Sequence, residues 1–202
     1  TERYIMQPAK LNYKIYQGST FQEAYRWETQ TKVYVPIQSI SKAAPCVITT
    51  AEDHNLPIGW RFRVTGAGGM KEINSSSDNY YMATDTTNNT VIINQVNSSQ
   101  FSAYTSGGIL EYNKPAELLT LKARMQVRKT VASPDIIYQA SSETGEIVLD
   151  NTYKTITITI PAAVTTDFTF TTAVYSIELY DVYGRVIPFI TGNLSLIQEI
   201  TR

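Results

Sequence analysis

Between residues 119 and 128 apolar and polar side chains alternate without interruption. Leu119, Leu121, Ala123, Met125 and Val127 occupy one set of positions, and Thr120, Lys122, Arg124, Gln126 and Arg128 the other. Several of these residues are good helix formers. On a helix, however, the apolar set would scatter around the axis, whereas a strand gathers it on one face. The period of two therefore predicts a half-buried strand.

The same period recurs at both ends of the chain. Leu11, Tyr13 and Ile15 share a face before Gly18 breaks the run, and Phe21, Tyr25 and Trp27 share the next. After residue 115 come strand candidates at 119–127, 136–139, 146–149 and 154–160. In the last of these, Ile156, Ile158 and Ile160 alternate with Thr155, Thr157 and Thr159. Tyr175, Ile177 and Leu179 form a further face, Asp181-Val182-Tyr183-Gly184 reads as a turn, and strands at 186–190 and 194–197 close the sheet. Residues 161–167 read as one short helical turn, and no long amphipathic helix is expected.

The middle of the chain differs in texture. Residues 32–113 are rich in Gly, Asn, Ser and Thr, with short strand candidates at 33–37, 46–49, 62–64, 80–83, 91–94 and 109–112. Turn signals such as Gly66-Ala67-Gly68-Gly69 and Ser106-Gly107-Gly108 separate them, which is the pattern of a compact barrel or roll. Two strands alone cannot bury a core, so the first two need the C-terminal segment. We therefore expect an all-β protein. Its β-sandwich (immunoglobulin-like), residues 1–31 and 114–202, would be interrupted by an inserted small β-barrel or roll domain of residues 32–113. Insertion at an exposed hairpin keeps the ends of the host close together.

Composition narrows the function more than the fold. The 202 residues carry a net charge of -1, with 17% charged residues and fourteen tyrosines. That balance gives no reason to expect nucleic acid or an anionic membrane as partner. No apolar run approaches the roughly 20 residues of a membrane span, and no signal-peptide pattern opens the sequence. One cysteine, Cys46, excludes an internal disulfide and reads as a small core residue.

His54 is the sole histidine, so any Ser-His-Asp or Cys-His arrangement would have to use it. It sits in Asp53-His54-Asn55-Leu56 before Pro57 and reads as a turn residue hydrogen-bonded locally. One Cys and one His cannot form a structural zinc site within one chain, and Asp78 and Asp85 lack EF-hand spacing. The glycine run fails the dinucleotide fingerprint, because Lys71 holds the third glycine position and no helix pattern follows. The sequence thus points to no catalytic residue, metal or cofactor. Four Asn-x-Ser/Thr triplets, at Asn74, Asn88, Asn97 and Asn193, carry no weight in a chain of this composition. The candidate contacts are a basic strand face of Lys122, Arg124 and Arg128, and the tyrosines Tyr80, Tyr81 and Tyr104. Tyrosine offers contact area at little entropic cost.

Two stretches resemble known families. Val35-Pro36-Ile37, Ile40, Lys42-Ala43-Ala44-Pro45, Val47-Ile48-Thr49, His54, Leu56, Gly59-Trp60-Arg61, Gly69-Met70, Glu72-Ile73-Asn74, Phe101 and Ser106-Gly107-Gly108 resemble a small β-module of tailed-bacteriophage structural proteins. That module is similar in fold to the first catalytic-cysteine half-domain of ubiquitin-activating enzymes, a likeness that implies no ubiquitin chemistry. Asn55 stands where the family has Gly, and Asn also tolerates the left-handed conformation. The flanks supply Tyr16-Gln17-Gly18-Ser19-Thr20-Phe21, Trp27, residues 123–128, 145–149 and 155–160, Val174-Tyr175-Ser176-Ile177-Glu178-Leu179, Gly184-Arg185-Val186, Gly192 and Glu199-Ile200-Thr201-Arg202. These resemble the N-terminal domain of phage upper baseplate proteins.

The resemblance implies a virion protein of the tail, neck or baseplate, an adaptor that docks fibres or spikes. Its partners would be other virion proteins, in a symmetric homo-oligomeric arrangement, with the insert contacting a different partner from the sandwich. A host-surface receptor- or glycan-binding module is the alternative, and a small hydrolase using a carboxylate pair a more distant one.

Overall fold

The computed structural model describes residues 7–200; Thr201 and Arg202, the end of the terminal motif quoted above, lie outside them. The fold is all-β: a β-sandwich with a second β unit inserted in it. The chain divides into a unit of residues 1–26 and 117–202 and a unit of residues 27–116.

The first unit opens with β1 (Ala9–Lys10), β2 (Tyr13–Tyr16) and β3 (Phe21–Arg26). The second holds β4 (Glu28–Ile40), β5 (Cys46–Thr50), β6 (Arg61–Ala67), β7 (Tyr81–Met82), β8 (Asp85–Thr86), β9 (Thr90–Ile93) and β10 (Gly107–Pro115). The chain then returns through β11 (Leu121–Arg128), β12 (Ile136–Ser141), β13 (Ile147–Asp150), β14 (Thr155–Ile160), the helical turn α1 (Ala162–Thr166), β15 (Thr172–Asp181) and β16 (Val186–Ile197). The unit boundaries fall at residues 26/27 and 116/117, outside the 31/32 and 113/114 expected from texture. The reason is that β4 begins at Glu28 and β10 runs to Pro115, with Glu28 paired to Pro115 across the ladder.

In the first unit, among the described residues, one sheet runs β1-β16-β15-β11-β12 with β2 also on β16, and the other runs β13-β14-β3. Ala123, Met125, Val127, Tyr175, Ile177 and Leu179 are buried from one sheet, and Ile147, Ile156, Ile158 and Ile160 from the other. Rings join the two layers: Tyr13 meets Phe21 edge-on at 5.4 Å, and Tyr25 meets Phe189 at 6.2 Å. β1 and β2 lie parallel to β16.

Three boundaries differ from the sequence pattern. Leu119 and Thr120 belong to a turn closed by Leu121 N–H to Leu118 O, and Leu119 is 76% exposed. Leu11 falls between β1 and β2 and is 36% exposed where Ile15 is buried; its N–H donates to Thr191 O, and Asn12 Oδ1 accepts the Asn193 N–H. The strands expected at 186–190 and 194–197 are one continuous strand, with Gly192 at its closest approach to Leu11.

The second unit is a seven-stranded antiparallel sheet over the described residues, in the order β7-β6-β10-β4-β5-β9-β8. Trp60, Phe62, Ile48, Met70, Ile73, Ile93 and Leu110 fill it. Its two ends are tied, because Ala116 N–H donates to Trp27 O at 2.9 Å. Asn55 takes the left-handed conformation, φ +52°, the role its short polar side chain allows.

Candidate interaction surface

The residues that could have carried chemistry are built into the core of the second unit. Cys46 is fully buried on β5, and burial pushes its thiol above the usual range. His54 is 1% exposed. Its Nδ1 accepts the Leu56 N–H at 2.9 Å and its Nε2 lies 3.0 Å from Thr90 O, which fixes a neutral ring protonated on Nε2. Tyr112 donates to the His54 carbonyl from a hydroxyl whose pKa burial has pushed up to about 12. His54 is thus a brace between the segment after β5 and the start of β9, reaching beyond the local turn the sequence indicated.

Lys122, Arg124 and Arg128 do share the outer face of β11, with Gln126 between them. The register sets Lys122 opposite Tyr180, Arg124 opposite Glu178 and Gln126 opposite Ser176. This face is paired rather than freely basic. Lys122 Nζ lies 2.6 Å from Glu143, which holds that carboxyl below the usual range and raises the lysine in turn. Arg124 meets Glu178 at 2.7 Å and lies over the Tyr180 ring, 5.6 Å from its centroid. Arg128 donates to Ser133 O, Pro134 O and Gln126 Oε1. Pairs this exposed add little to stability; their effect is to fix side-chain positions.

Those positions enclose two shallow depressions along the β11–β15 seam. Arg124, Gln126, Ser176 and Glu178 line one of about 360 Å³. Gln126, Arg128, Val131, Val174, Tyr175, Ser176 and Thr191 line a second of about 320 Å³. The shared walls, Gln126 and Ser176, make them successive along the seam. Guanidinium, amide, hydroxyl and carboxylate groups at strand spacing suit hydrogen bonds to a polar extended ligand.

The three candidate tyrosines belong to the second unit and do not act together. Tyr81 is half-buried against Phe62, and its hydroxyl donates to Ile73 O at 3.0 Å. Tyr104 packs on the same core and donates to Gly107 O at 2.8 Å. Both are structural. Tyr80 alone of the three is on the surface, 37% exposed, with the Arg61 guanidinium 4.7 Å above its ring. Arg61 in turn makes a two-point contact with Glu28, at 2.6 and 2.7 Å.

No protein-family model matches this chain, and no curated protein matches it. Sequence alone does not reveal the partners of these faces: register brings Glu178 and Ser176 to β11 from β15, whereas Glu143 comes from the turn after β12 and Glu28 from β4, across β10 from Arg61. Arg61 and Arg63 were visible as the polar half of an alternation with Phe62 and Val64.

Proposed function

We propose that this chain is a structural protein of a tailed-phage virion, an adaptor that docks fibres or spikes onto the tail, neck or baseplate and works by binding rather than turnover. The observation that carries the reading is that one chain holds two units, each with its own core and its own open sheet face set with fixed charged and aromatic side chains. An adaptor needs two such faces to hold two neighbours. Commitment of His54 and Cys46 to packing fits a binding role, and the family resemblance of both units supplies the setting. Many copies around a symmetry axis would add avidity that a single contact lacks. Cryo-electron microscopy of the particle tests this. Symmetric copies bridging the tail core and the fibres are expected; particles without the chain, or copies only at a distal tip, would defeat the adaptor role.

The depressions along β11 and β15 favour a second reading, a glycan-binding face. Titration of the chain with host-surface polysaccharide separates the two. Saturable binding that is lost in Gln126→Ala or Ser176→Ala would establish the glycan role, and no binding would leave the seam to a protein neighbour.

A further inference from the structure

On the outer face of the second unit one cation is left unanswered. Phe62 and Val64 are buried, so Arg61 and Arg63 of β6 stand on the opposite side of the sheet. The ladders place Arg63 beside Glu111 and Glu111 beside Tyr34, a row across three strands. Glu111, however, is taken by Lys32 at 2.5 Å, and Glu28 by Arg61. Among the described residues no ion pair joins Arg63 to a carboxylate, and its Nε is shielded from solvent with no hydrogen-bond partner. Its guanidinium lies 6.0 Å from the centre of the Tyr80 ring.

The surroundings are apolar and open. Tyr34 is 58% exposed, Ile109 39%, and Tyr80 and Met82 37% each. Tyr, Met and Arg around a desolvated polar group are the composition of the centre of a protein interface. The paired charges on this face cancel, which leaves the single positive charge of Arg63. A nucleic-acid backbone needs several unpaired cations, where a single carboxylate needs one.

We propose that this face docks an acidic segment of another protein, one carboxylate of which takes the fork of Arg63 while apolar neighbours cover Tyr34, Tyr80, Met82 and Ile109. A guanidinium offers two parallel donors to a carboxylate along its Nη1–Nη2 edge, which leaves the shielded Nε out of the contact. This inference goes beyond the adaptor reading and stands whether or not the chain belongs to a virion.

The test is a titration of the full ¹⁵N-labelled chain, followed by NMR, with acetyl-Leu-Glu-Leu-Glu-Leu-amide. The same peptide with Gln for Glu serves as the neutral control, and a thymidylate hexanucleotide as the polyanion control. The acidic peptide is expected to shift the Arg63 Nε–H signal and the amides of β6, β7 and β10 saturably. The glutamine peptide should bind about tenfold more weakly, the worth of a charge-assisted contact. Arg63→Gln should show the same loss, and Arg63→Lys should restore only part of it, because an ammonium lacks the fork. Tyr34→Ala, distant from that pairing, should weaken both peptides alike. Equal affinity for the two peptides, shifts confined to other faces, or tighter binding of the oligonucleotide would overturn the proposal.

Discussion

The His54 ring accepts from Leu56 N–H and donates to Thr90 O, a pair of bonds open only to the neutral imidazole. Burial lowers its pKa below the ordinary 6.5, against smaller opposing effects of the Thr90 contact and Asp53. The unfolded chain therefore takes up this proton first as pH falls. Stability from the ring is complete above 6.5 and is lost as pH drops through that value toward the folded pKa. Glu72, Glu117, Glu143 and Glu146 titrate below their ordinary 4.5, a separate and more acidic window. The melting temperature should thus decline between about pH 7 and pH 5, and His54→Gln should flatten that decline; a flat wild-type profile would contradict the neutral brace. Gly192 is constrained by space. A Cβ there would lie 1.6 Å from Leu11 O and 2.7 Å from Leu11 C, so β1 and β16 would have to separate. Gly192→Ala should cost about 3 kcal/mol, read as a lower denaturant midpoint.

At the scale of strands, one side of each alternation carries the energy. Ile158 is 1% exposed and faces the opposite sheet, whereas Thr157 faces out. Ile158→Ala should destabilise by about 2–5 kcal/mol and Thr157→Ala by about 0.5 kcal/mol or less, as compared by urea unfolding. The sequence made such faces legible because strand geometry is local: Ile156, Ile158 and Ile160 needed no knowledge of their neighbours. The ends of strands were not legible. Leu119 continues the period of β11 but is spent on the Leu118–Leu121 turn, and Leu11 falls in the link between β1 and β2. The binding faces were half legible for the same reason. Lys122, Arg124 and Arg128 share a face by period alone, but their carboxylates arrive from β15 and the turn after β12. Likewise Tyr81 and Tyr104 differ from Tyr80 by packing on the core of the second unit and by hydroxyl bonds to backbone carbonyls, of Ile73 for Tyr81 and of Gly107 and the distant Ile37 for Tyr104.

At the scale of the whole molecule, the two units differ in how far along the chain their partners lie. Every ladder of residues 27–116 is closed within that stretch, and the Ala116–Trp27 bond joins its ends. Residues 27–116 expressed alone should therefore unfold cooperatively with the dispersed amide spectrum of a folded domain; a collapsed, non-cooperative product would show that the insert depends on its host. The host has no such independence. β3 pairs with β14, and β2 with β16, which follow only after the insert. During translation, at about 5–20 residues per second, β3 waits on the order of ten seconds for its partner. The middle of the chain is then the first part able to mature on the ribosome. The opening strands spend that interval as bare edges, the form in which sister chains on one message meet most readily. Order of synthesis thus leaves β1, β2 and β3, and not the insert, without their partner strands until the whole insert has been made.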